Sequence, residues 1–252
     1  STTDGARSGT GTVSLSGTAS SGATLDWYAG SSGGSVLSGG TGTLSFTTPS
    51  ISATTIYYAQ ARNTTSECIS AARTPVTATV NAALAAGSIG GTQSICSGST
   101  PTSLTSSTAA SGGTGAQTYQ WQVSTDNTNF TDISSANAAT YSPGTLSQTT
   151  YYRRGVSTGV DPVIYTTSIQ VIVSPISVDG TTSISRAITS QLTGTGTPAV
   201  ANAWVSSDTT IATVSSTGLV RPKIDGTTYI TYTQSNGCSK TILFTVLTTD
   251  TD

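Results

Sequence analysis

Histidine and methionine are absent from the chain, and Glu67 is its only glutamate. A serine or cysteine nucleophile needs an adjacent base, and histidine supplies that base most often. A hydrolase with paired carboxylates needs two acids within ~5–10 Å of each other in a cleft. The aspartates of this chain lie mostly in polar turns instead. We therefore predict that the chain has no catalytic residues and is not an enzyme.

Charged residues and long apolar runs are also scarce. Charged residues make up 8% of the chain and the net charge is −2, so no basic surface is available for nucleic acid or anionic lipid. No apolar run approaches the ~20 residues that span a bilayer. We predict no nucleic-acid partner and no membrane insertion. The missing methionine leads us to expect an excerpt of a longer exported protein whose signal segment lies elsewhere.

What remains is a repeated alternating pattern rich in Thr, Ser and Gly. Thr packs well on a pleated strand, while Gly and Ser supply turns. Trp121 lies in an alternating run that is followed by a Pro-Gly corner and a Tyr-rich run, which is typical of half a β-sandwich. Trp27 begins the same pattern earlier, and its distance from Trp121 matches the Ile51 to Leu146 distance to within one residue. The pattern predicts an all-β repeat protein.

Three tryptophans divide the chain into three small units, with Trp27, Trp121 and Trp204 as predicted core markers. We place the units at residues 1–84, 85–174 and 175–252. Domains of this size bury only about 60–65% of their unfolded surface, so each core depends on a few large side chains. The connections between the units are short, which predicts tandem sandwiches arranged as an extended rod.

Local patterns predict several individual segments. Residues 1–7 resemble a linker from an earlier domain, a first strand is expected at residues 11–15, and a short strand at residues 36–37. Tyr57 and Tyr58 should point to opposite faces because strand side chains alternate. Gly218 can take the positive φ of a hairpin turn, so strands are expected on both sides of it.

The cysteines Cys68, Cys96 and Cys238 fall one in each unit, an odd number for a chain that we expect to be extracellular. Paired cysteines of small secreted proteins normally lie inside one domain. We expect all three to be unpaired. The alternative is a bridge between Cys68 and Cys96 across the first junction, which requires Cα atoms within ~7 Å.

The loop of residues 126–132 is the one candidate cofactor site. It offers side-chain oxygens from Asp126, Asn127, Asn129 and Asp132, and calcium prefers oxygen ligands. The loop lacks the glycine and glutamate of a dedicated calcium loop, and Asn and Asp are ordinary turn formers. We favour a solvated turn and keep calcium as the alternative.

A second candidate site is a pair of adjacent arginines. Arg153 and Arg154 should point to opposite faces of a strand. One of them would then lie at the surface beside exposed tyrosines, where guanidinium and aromatic groups can stack on a sugar or contact a partner. Tyr58 is a further possible ligand contact. The alternative is a solvated strand face without a ligand.

Three runs carry a family resemblance. Ile-Ser-Ala-Thr-Thr-Ile-Tyr begins at residue 51, Leu-Ser-Gln-Thr-Thr-Tyr-Tyr at residue 146, and Ser-Ser-Asp-Thr-Thr-Ile-Ala-Thr-Val at residue 206. The first two units resemble the immunoglobulin-like repeats of very large adhesins from gliding bacteria that use type IX secretion, and the third resembles the bacterial group 2 immunoglobulin-like domain. The resemblance implies three tandem immunoglobulin-like β-sandwiches, extracellular at the cell surface, and its motifs specify the fold more than a ligand.

The resemblance also implies properties of single residues. Similar repeats of the first type carry a cysteine at the position of Ser8 that could pair with Cys68, and those of the second type pair Cys96 with a cysteine near Asp161. Both partner cysteines are absent here. The Asp-Thr-Thr run around Thr209 resembles a short acceptor motif for O-linked glycans, which makes Thr209 a candidate glycosylation site.

Two classes of function are compatible with this sequence. We expect a non-catalytic segment of a large secreted cell-surface adhesin or filament, which acts as a stalk and as a low-affinity adhesive repeat in attachment or gliding, because weak repeated contacts gain avidity. Its partners would be neighbouring repeats of the same protein, and surface polysaccharide or other surface proteins. The alternative is a spacer or carbohydrate-binding accessory region of a secreted polysaccharide-degrading enzyme. A catalytic domain beside this segment would favour the alternative.

Overall fold

The computed structural model describes residues 1–248, and in that range it consists of strands and loops without a helix. Accordingly, the described residues include no helix long and apolar enough to cross a membrane. The sheets fall into three groups in chain order, and strands pair only within a group. We call these groups the first, second and third domains. Residues 249–252, which the predicted third unit includes, lie outside the described residues.

The first domain is a two-layer sandwich. One sheet has the order β1-β3-β5 and the other β2-β7-β6-β4. The seven strands are β1 (Thr2–Thr3), β2 (Gly5–Ser8), β3 (Ser14–Gly17), β4 (Ala23–Tyr28), β5 (Ser45–Thr47), β6 (Thr55–Asn63) and β7 (Thr74–Asn81).

The second domain repeats this plan with one large sheet and one small one. The large sheet has the order β12-β11-β13-β15-β9 with β14 paired to β13, and β8 pairs with β10 in the small sheet. The strands are β8 (Ser88–Gly90), β9 (Gln93–Cys96), β10 (Thr105–Thr108), β11 (Thr118–Ser124), β12 (Thr131–Asp132), β13 (Thr150–Ser157), β14 (Ile164–Tyr165) and β15 (Ile169–Ser174).

The third domain contains the sheets β17-β24-β23-β20, β18-β22-β21 and β16-β19. Its strands are β16 (Val178–Asp179), β17 (Ser183–Ser185), β18 (Ser190–Gln191), β19 (Thr193–Gly194), β20 (Trp204–Ser206), β21 (Ala212–Val214), β22 (Leu219–Pro222), β23 (Gly226–Thr233) and β24 (Ser239–Leu247).

A short early strand pairs in parallel with the last strand in every domain. In the first domain β2 pairs with β7, and Ser8 lies opposite Asn81. In the second domain β9 pairs with β15, and Cys96 lies opposite Ser174. In the third domain β17 pairs with β24. Because paired parallel strands run the same way, the early strand and the last strand end at the same side of the domain.

Each predicted core tryptophan is buried among aromatic neighbours. Trp27 and Trp121 are fully buried, and Trp204 is 8% exposed. The first two indole N–H groups each donate a hydrogen bond to a backbone carbonyl, from Trp27 to Thr43 at 3.0 Å and from Trp121 to Ala138 at 2.9 Å. The same anchoring in two domains agrees with the repeat seen in the sequence, since a buried N–H needs a partner.

The aromatic partners complete the three cores. Trp27 stacks on Phe46 with ring centroids 5.6 Å apart. The Trp121 ring lies 5.8 Å from that of Tyr141, and the Trp204 ring lies 4.6 Å from that of Tyr232. Trp27 thus contacts the opposite sheet through Phe46 of β5, whereas Trp204 and Tyr232 are cross-strand neighbours within one sheet.

Several segment predictions are confirmed. Tyr57 is buried and Tyr58 is half-buried on the opposite face of β6. Gly218 has a φ of +87° and lies in the turn between β21 and β22. The closing strand of the first domain begins at Thr74, as the pattern around Pro75 predicted.

Two segment predictions are wrong, and the first strand expected at residues 11–15 is β3, which begins at Ser14 and is third in chain order. Residues 1–7 are not a linker, because β1 pairs with β3 and β2 pairs in parallel with β7. The predicted strand at residues 36–37 is a loop, although the N–H of Leu37 still donates to the carbonyl of Trp27 at 2.8 Å. The first prediction failed because the partner of β2 lies about seventy residues away, and local alternation carries no signal for such a pairing.

Gly194 offers a test of the third core. A Cβ at this position would lie 2.2 Å from Cε1 of Tyr232, and that ring is held against Trp204. We expect Gly194→Ala to lower the free energy of unfolding of the third domain by ~1–3 kcal/mol, the usual cost of overpacking. Chemical denaturation followed by tryptophan fluorescence measures it. Gly144→Ala is the matched control, because nothing lies within 4 Å of a Cβ there. Equal stability of the two variants would contradict the packing described.

Candidate functional site: the two domain junctions

In the second and third domains, the loop before the last strand lies on the side of the preceding domain, where Asp161 and Cys238 contact it. The last strand runs toward the following domain, so its start lies at the opposite end of the sandwich. We call this connection the return loop: residues 64–73 in the first domain, 158–168 in the second and 234–238 in the third. The early parallel strand of the preceding domain ends at the same junction. At each junction, the end of the early strand of one domain therefore meets the return loop of the next domain.

Asp161 holds the first junction. The Ser8 hydroxyl at the end of β2 donates a hydrogen bond to Oδ1 of Asp161 in the return loop of the second domain. Oδ2 of Asp161 accepts hydrogen bonds from the Thr114 N–H at 2.6 Å and from the Thr158 hydroxyl at 2.8 Å. The Asn81 side chain donates to the Thr114 hydroxyl at 3.2 Å. One carboxylate thus joins the end of the first domain to two loops of the second.

The environment of Asp161 favours its charged form. The pKa of Asp161 lies below its ordinary value, chiefly because of the hydrogen bond from Ser8, followed by those from Thr114 and Thr158. The positive charge of Arg7 adds to this effect. Hydrogen bonds to a carboxylate stabilise the ionised form, so the junction contact is charged at neutral pH.

A disulfide holds the second junction. Cys96 at the end of β9 is bonded to Cys238 in the return loop of the third domain, with Cα atoms 5.4 Å apart. The buried amide of Gln234 adds to the junction by donating to the carbonyls of Pro175 at 3.0 Å and Thr195 at 2.8 Å. The two domains are therefore joined both by the chain at Pro175 and by a covalent cross-link.

The cysteine prediction is wrong for two of the three residues. Cys96 and Cys238 are paired, and the alternative bridge from Cys96 to Cys68 does not form. Cys68 is exposed in the return loop of the first domain and is unpaired within residues 1–248. The prediction assumed pairing inside one unit, whereas this bridge depends on the relative placement of two domains. The one signal in the sequence is that Cys96 directly follows the short Gln-Ser-Ile run. That run and Cys96 form β9, whose parallel pairing with β15 local alternation does not reveal.

The two junctions use equivalent positions. Ser8 and Cys96 each end an early strand and lie opposite the last residue of the closing strand. Asp161 and Cys238 each lie in a return loop. The two junctions therefore use the same positions of the fold but different bonds. The first is a charge-assisted hydrogen bond, and the second is a disulfide. Sequence reasoning named Ser8 and Asp161 only as positions of absent cysteines and did not expect them to meet.

The two adjacent arginines do point to opposite faces, as predicted, but Arg154 is not a surface residue. Its side chain is fully buried, so the prediction that Arg154 contacts a ligand is wrong. Its guanidinium donates to the carbonyls of Ala139 at 2.9 Å and Ala86 at 3.2 Å and to the Ser106 hydroxyl at 3.0 Å. Burial lowers the pKa of Arg154. Because Ala86 lies in the segment that enters the second domain, Arg154 anchors that segment to the core.

Arg153 lies on the outer face of the same strand. Its guanidinium carbon is 4.1 Å from the ring centre of Phe130 and 4.0 Å from that of Tyr165, and Nε donates to the Gln122 side chain at 2.7 Å. Two aromatic rings of the same domain therefore pack against the guanidinium. Tyr58, the other predicted contact, lies in the first domain beside Pro75 and Tyr28 on neighbouring strands. The structure does not bring Tyr58 and Arg153 into one site.

The oxygens of the candidate calcium loop are used by the loop itself. Oδ1 of Asp126 accepts from the N–H groups of Thr128 and Asn129, both at 2.8 Å, and Oδ2 accepts from the Asn129 amide at 2.7 Å. These hydrogen bonds, with those from Asn129 the largest cause, hold the pKa of Asp126 far below its ordinary range. A cation here would have to replace these donors.

The other two candidate ligands point to different partners. Oδ1 of Asn127 accepts from the Ser168 hydroxyl at 2.6 Å, and Oδ1 of Asp132 accepts from the Gln122 amide at 2.7 Å. Within residues 1–248 there is no group of three or more His, Cys, Asp or Glu side chains that could hold a metal ion. The calcium hypothesis stays a prediction without support from the geometry.

The candidate glycosylation residue Thr209 is exposed between β20 and β21. Neighbouring Asp208 accepts hydrogen bonds from the N–H of Thr210 at 2.8 Å and from its hydroxyl at 2.6 Å. The Thr209 carbonyl accepts from the Lys223 ammonium at 2.8 Å. The side chain is thus accessible in a well-defined turn, and its modification remains a prediction.

Each of the three parts of the chain matches a known family of domains. Residues 1–81 match a family described as an Ig-like domain that is CHU_C associated, and residues 172–244 match the bacterial Ig-like domain, group 2. Residues 85–175 match a domain of unknown function, DUF8696. A three-domain immunoglobulin structure of titin, in an E-to-A mutated variant, has a TM-score of 0.50 at 12% identity and covers 97% of this chain and 94% of that chain.

All three domains are immunoglobulin-like sandwiches. This confirms the predicted all-β tandem fold and the group 2 resemblance of the third domain. The N-terminal eight immunoglobulin domains of Down Syndrome Cell Adhesion Molecule show a TM-score of 0.39 at 13% identity, with 97% of this chain and 34% of that chain covered, a likeness too low to support an inference. A comparison with curated proteins found no match. Immunoglobulin-like repeats are generally non-catalytic and typical of extracellular or surface proteins, and function within the fold depends on particular sites.

Asp161 offers a test of the first junction. We expect Asp161→Ala to widen the range of distances between the first and second domains, because it removes the hydrogen bonds that join Ser8, Thr114 and Thr158. Pulsed electron spin resonance between labels on exposed loops of the two domains measures that range. Asp132→Ala is the control, since this aspartate bonds only within its own domain. An unchanged distance distribution in Asp161→Ala would show that the contact does not hold the junction.

The pH dependence of the first junction follows from the lowered pKa of Asp161. The contact should be fully present above the ordinary carboxyl pKa of ~3.9 and should weaken as the pH falls through the lower folded-state pKa. The same label distances, recorded between pH 7 and pH 2, should therefore stay constant at first and broaden only in strong acid. Broadening that begins near pH 6 would contradict the assignment to Asp161.

Proposed function

We propose that the chain is a structural stalk segment of a large exported cell-surface adhesin. In this role the tandem domains hold a binding end away from the cell and make weak, repeated contacts during attachment or gliding. The observation that carries the proposal is the direct bonding of both junctions, by Asp161 at the first and by the Cys96–Cys238 disulfide at the second. A spacer needs fixed angles between its domains, and such bonds restrict those angles.

The surface and the sequence give further support. The first and third domains share no hydrogen bond or disulfide within residues 1–248, so contacts connect only consecutive domains. The Arg153 guanidinium, the best candidate for ligand stacking, is already covered by Phe130 and Tyr165. The resemblance to adhesin repeats of gliding bacteria, together with the CHU_C-associated family of the first domain, supports export by type IX secretion.

The proposed partners follow from this role. Neighbouring repeats of the same protein would bind at the junction positions already described. Surface polysaccharide or other surface proteins would be contacted weakly along the outer faces, with avidity from the number of repeats. The proposal includes no cofactor and no catalytic step.

Small-angle scattering tests the stalk geometry. Three sandwiches whose longest strands have eight or nine residues, at ~3.3 Å per residue, give a rod on the order of 100 Å long. We expect one extended shape with a narrow distribution of dimensions in the oxidised protein. A wide distribution, or a compact shape near the size of a single globule, would contradict the stalk.

The native protein tests the adhesin. We expect antibodies raised against the three domains to label intact source cells, and the polypeptide they recognise to have a mass of several hundred kilodaltons with many similar repeats. Labelling only after cells are opened would exclude a surface protein. A modest polypeptide with one domain bearing paired carboxylates would instead support the accessory region of a polysaccharide-degrading enzyme.

A further inference from the structure

The Cys96–Cys238 disulfide closes most of two domains into one covalent loop. The two cysteines are 142 positions apart in sequence, yet their Cα atoms are 5.4 Å apart. The loop contains β10 to β15 of the second domain and β16 to β23 of the third. Outside it lie the first domain, β8 and β9 on one side and β24 on the other.

We propose that this disulfide is a load bypass that carries tension past the second and third domains. A chain pulled at its two ends transmits force along the shortest covalent path. That path runs through the first domain, β8 and β9 to Cys96, crosses to Cys238, and leaves along β24. The residues between the two cysteines receive no tension through the backbone while the bond is intact. The proposal rests on the proposed stalk function only in assuming that the chain is pulled in the cell.

The positions of the two cysteines suit this role. Cys96 is the last residue of β9, and Cys238 directly precedes β24, which begins at Ser239. Both segments that carry load are already extended strands, so tension along them lengthens the molecule very little. Each is also paired in parallel with a neighbouring strand of its own sheet, β9 with β15 and β24 with β17. The load therefore enters and leaves the cross-link along strands that the sheets support.

The first domain has no such protection. The load path enters it at β1 and β2 and leaves it at the end of β7, and its one cysteine, Cys68, is unpaired within the described residues. Its junction with the second domain depends on the hydrogen bonds of Asp161. Under tension the first domain is therefore the part that unfolds first, while the two cross-linked domains keep their fold.

Reduction of the Cys96–Cys238 disulfide would remove the bypass and leave the backbone as the only covalent path. A dithiol reductant supplies two electrons and two protons, which yields the thiols of Cys96 and Cys238 and leaves the reductant as its own disulfide. Tension then passes through every residue between them. At ~3.3–3.6 Å per residue, complete unfolding would raise the Cα separation of the two cysteines from 5.4 Å to about 500 Å.

Single-molecule force spectroscopy on the full chain, with handles at both ends, tests the proposal. We expect the oxidised protein to show one unfolding step, on the order of 250 Å for the first domain. After a dithiol is added to the same tethered molecules, further steps that together add about 500 Å should appear. The oxidised Cys96→Ser variant should show the added length without reductant, and Cys68→Ser, the matched control, should behave as the wild type does.

Two results would overturn the bypass. One is an oxidised chain that already extends by the full length of three domains. The other is a reduced chain that gains no length at forces that unfold the first domain. Comparison of the same wild-type molecule before and after reduction keeps the test valid even if Cys96→Ser folds poorly. These outcomes are independent of surface labelling, so the load path and the adhesin role can fail separately.

Discussion

The parallel pairing of an early strand with the last strand is the constraint on which the rest of this structure depends. It closes each sandwich by joining the two ends of the domain's sequence, as β2 and β7 do in the first domain. It also fixes the end of the early strand at the side of the domain where the last strand ends and the chain leaves. The return loop of the next domain lies at that side, so the pairing that completes one fold also creates the contact point for its neighbour.

The chemistry at that contact point then sets how strongly two domains are coupled. The first junction is held by a carboxylate that accepts hydrogen bonds from two domains. Such charge-assisted hydrogen bonds are stronger than neutral ones, but they can break and re-form. A disulfide is permanent under oxidising conditions, and it occupies the second. The hydrogen bonds of Asp161 come from hydroxyl and backbone groups, and the charge of Arg7 adds to their effect.

Local features of this fold could be predicted from sequence, and relations between distant segments could not. The buried tryptophans, the opposite faces of Tyr57 and Tyr58, and the Gly218 hairpin each depend on a few neighbouring residues, whose pattern is visible in the chain. The early strand β2 and the Cys96–Cys238 bridge depend on partners about seventy and 142 positions away. The alternation rule placed Arg153 and Arg154 on opposite faces but did not say which face is the core, because that choice is made by the register between β11 and β13.

The covalent loop between Cys96 and Cys238 has a consequence for proteolysis. Exposed loop tips with small residues, such as the one around Gly159, are preferred sites of proteolytic cleavage. A single cut between the two cysteines would leave both fragments attached to each other through the sulfur atoms. The molecule would keep the connection between its two ends after losing the continuity of its backbone, and only a cut outside the loop would release one end from the other.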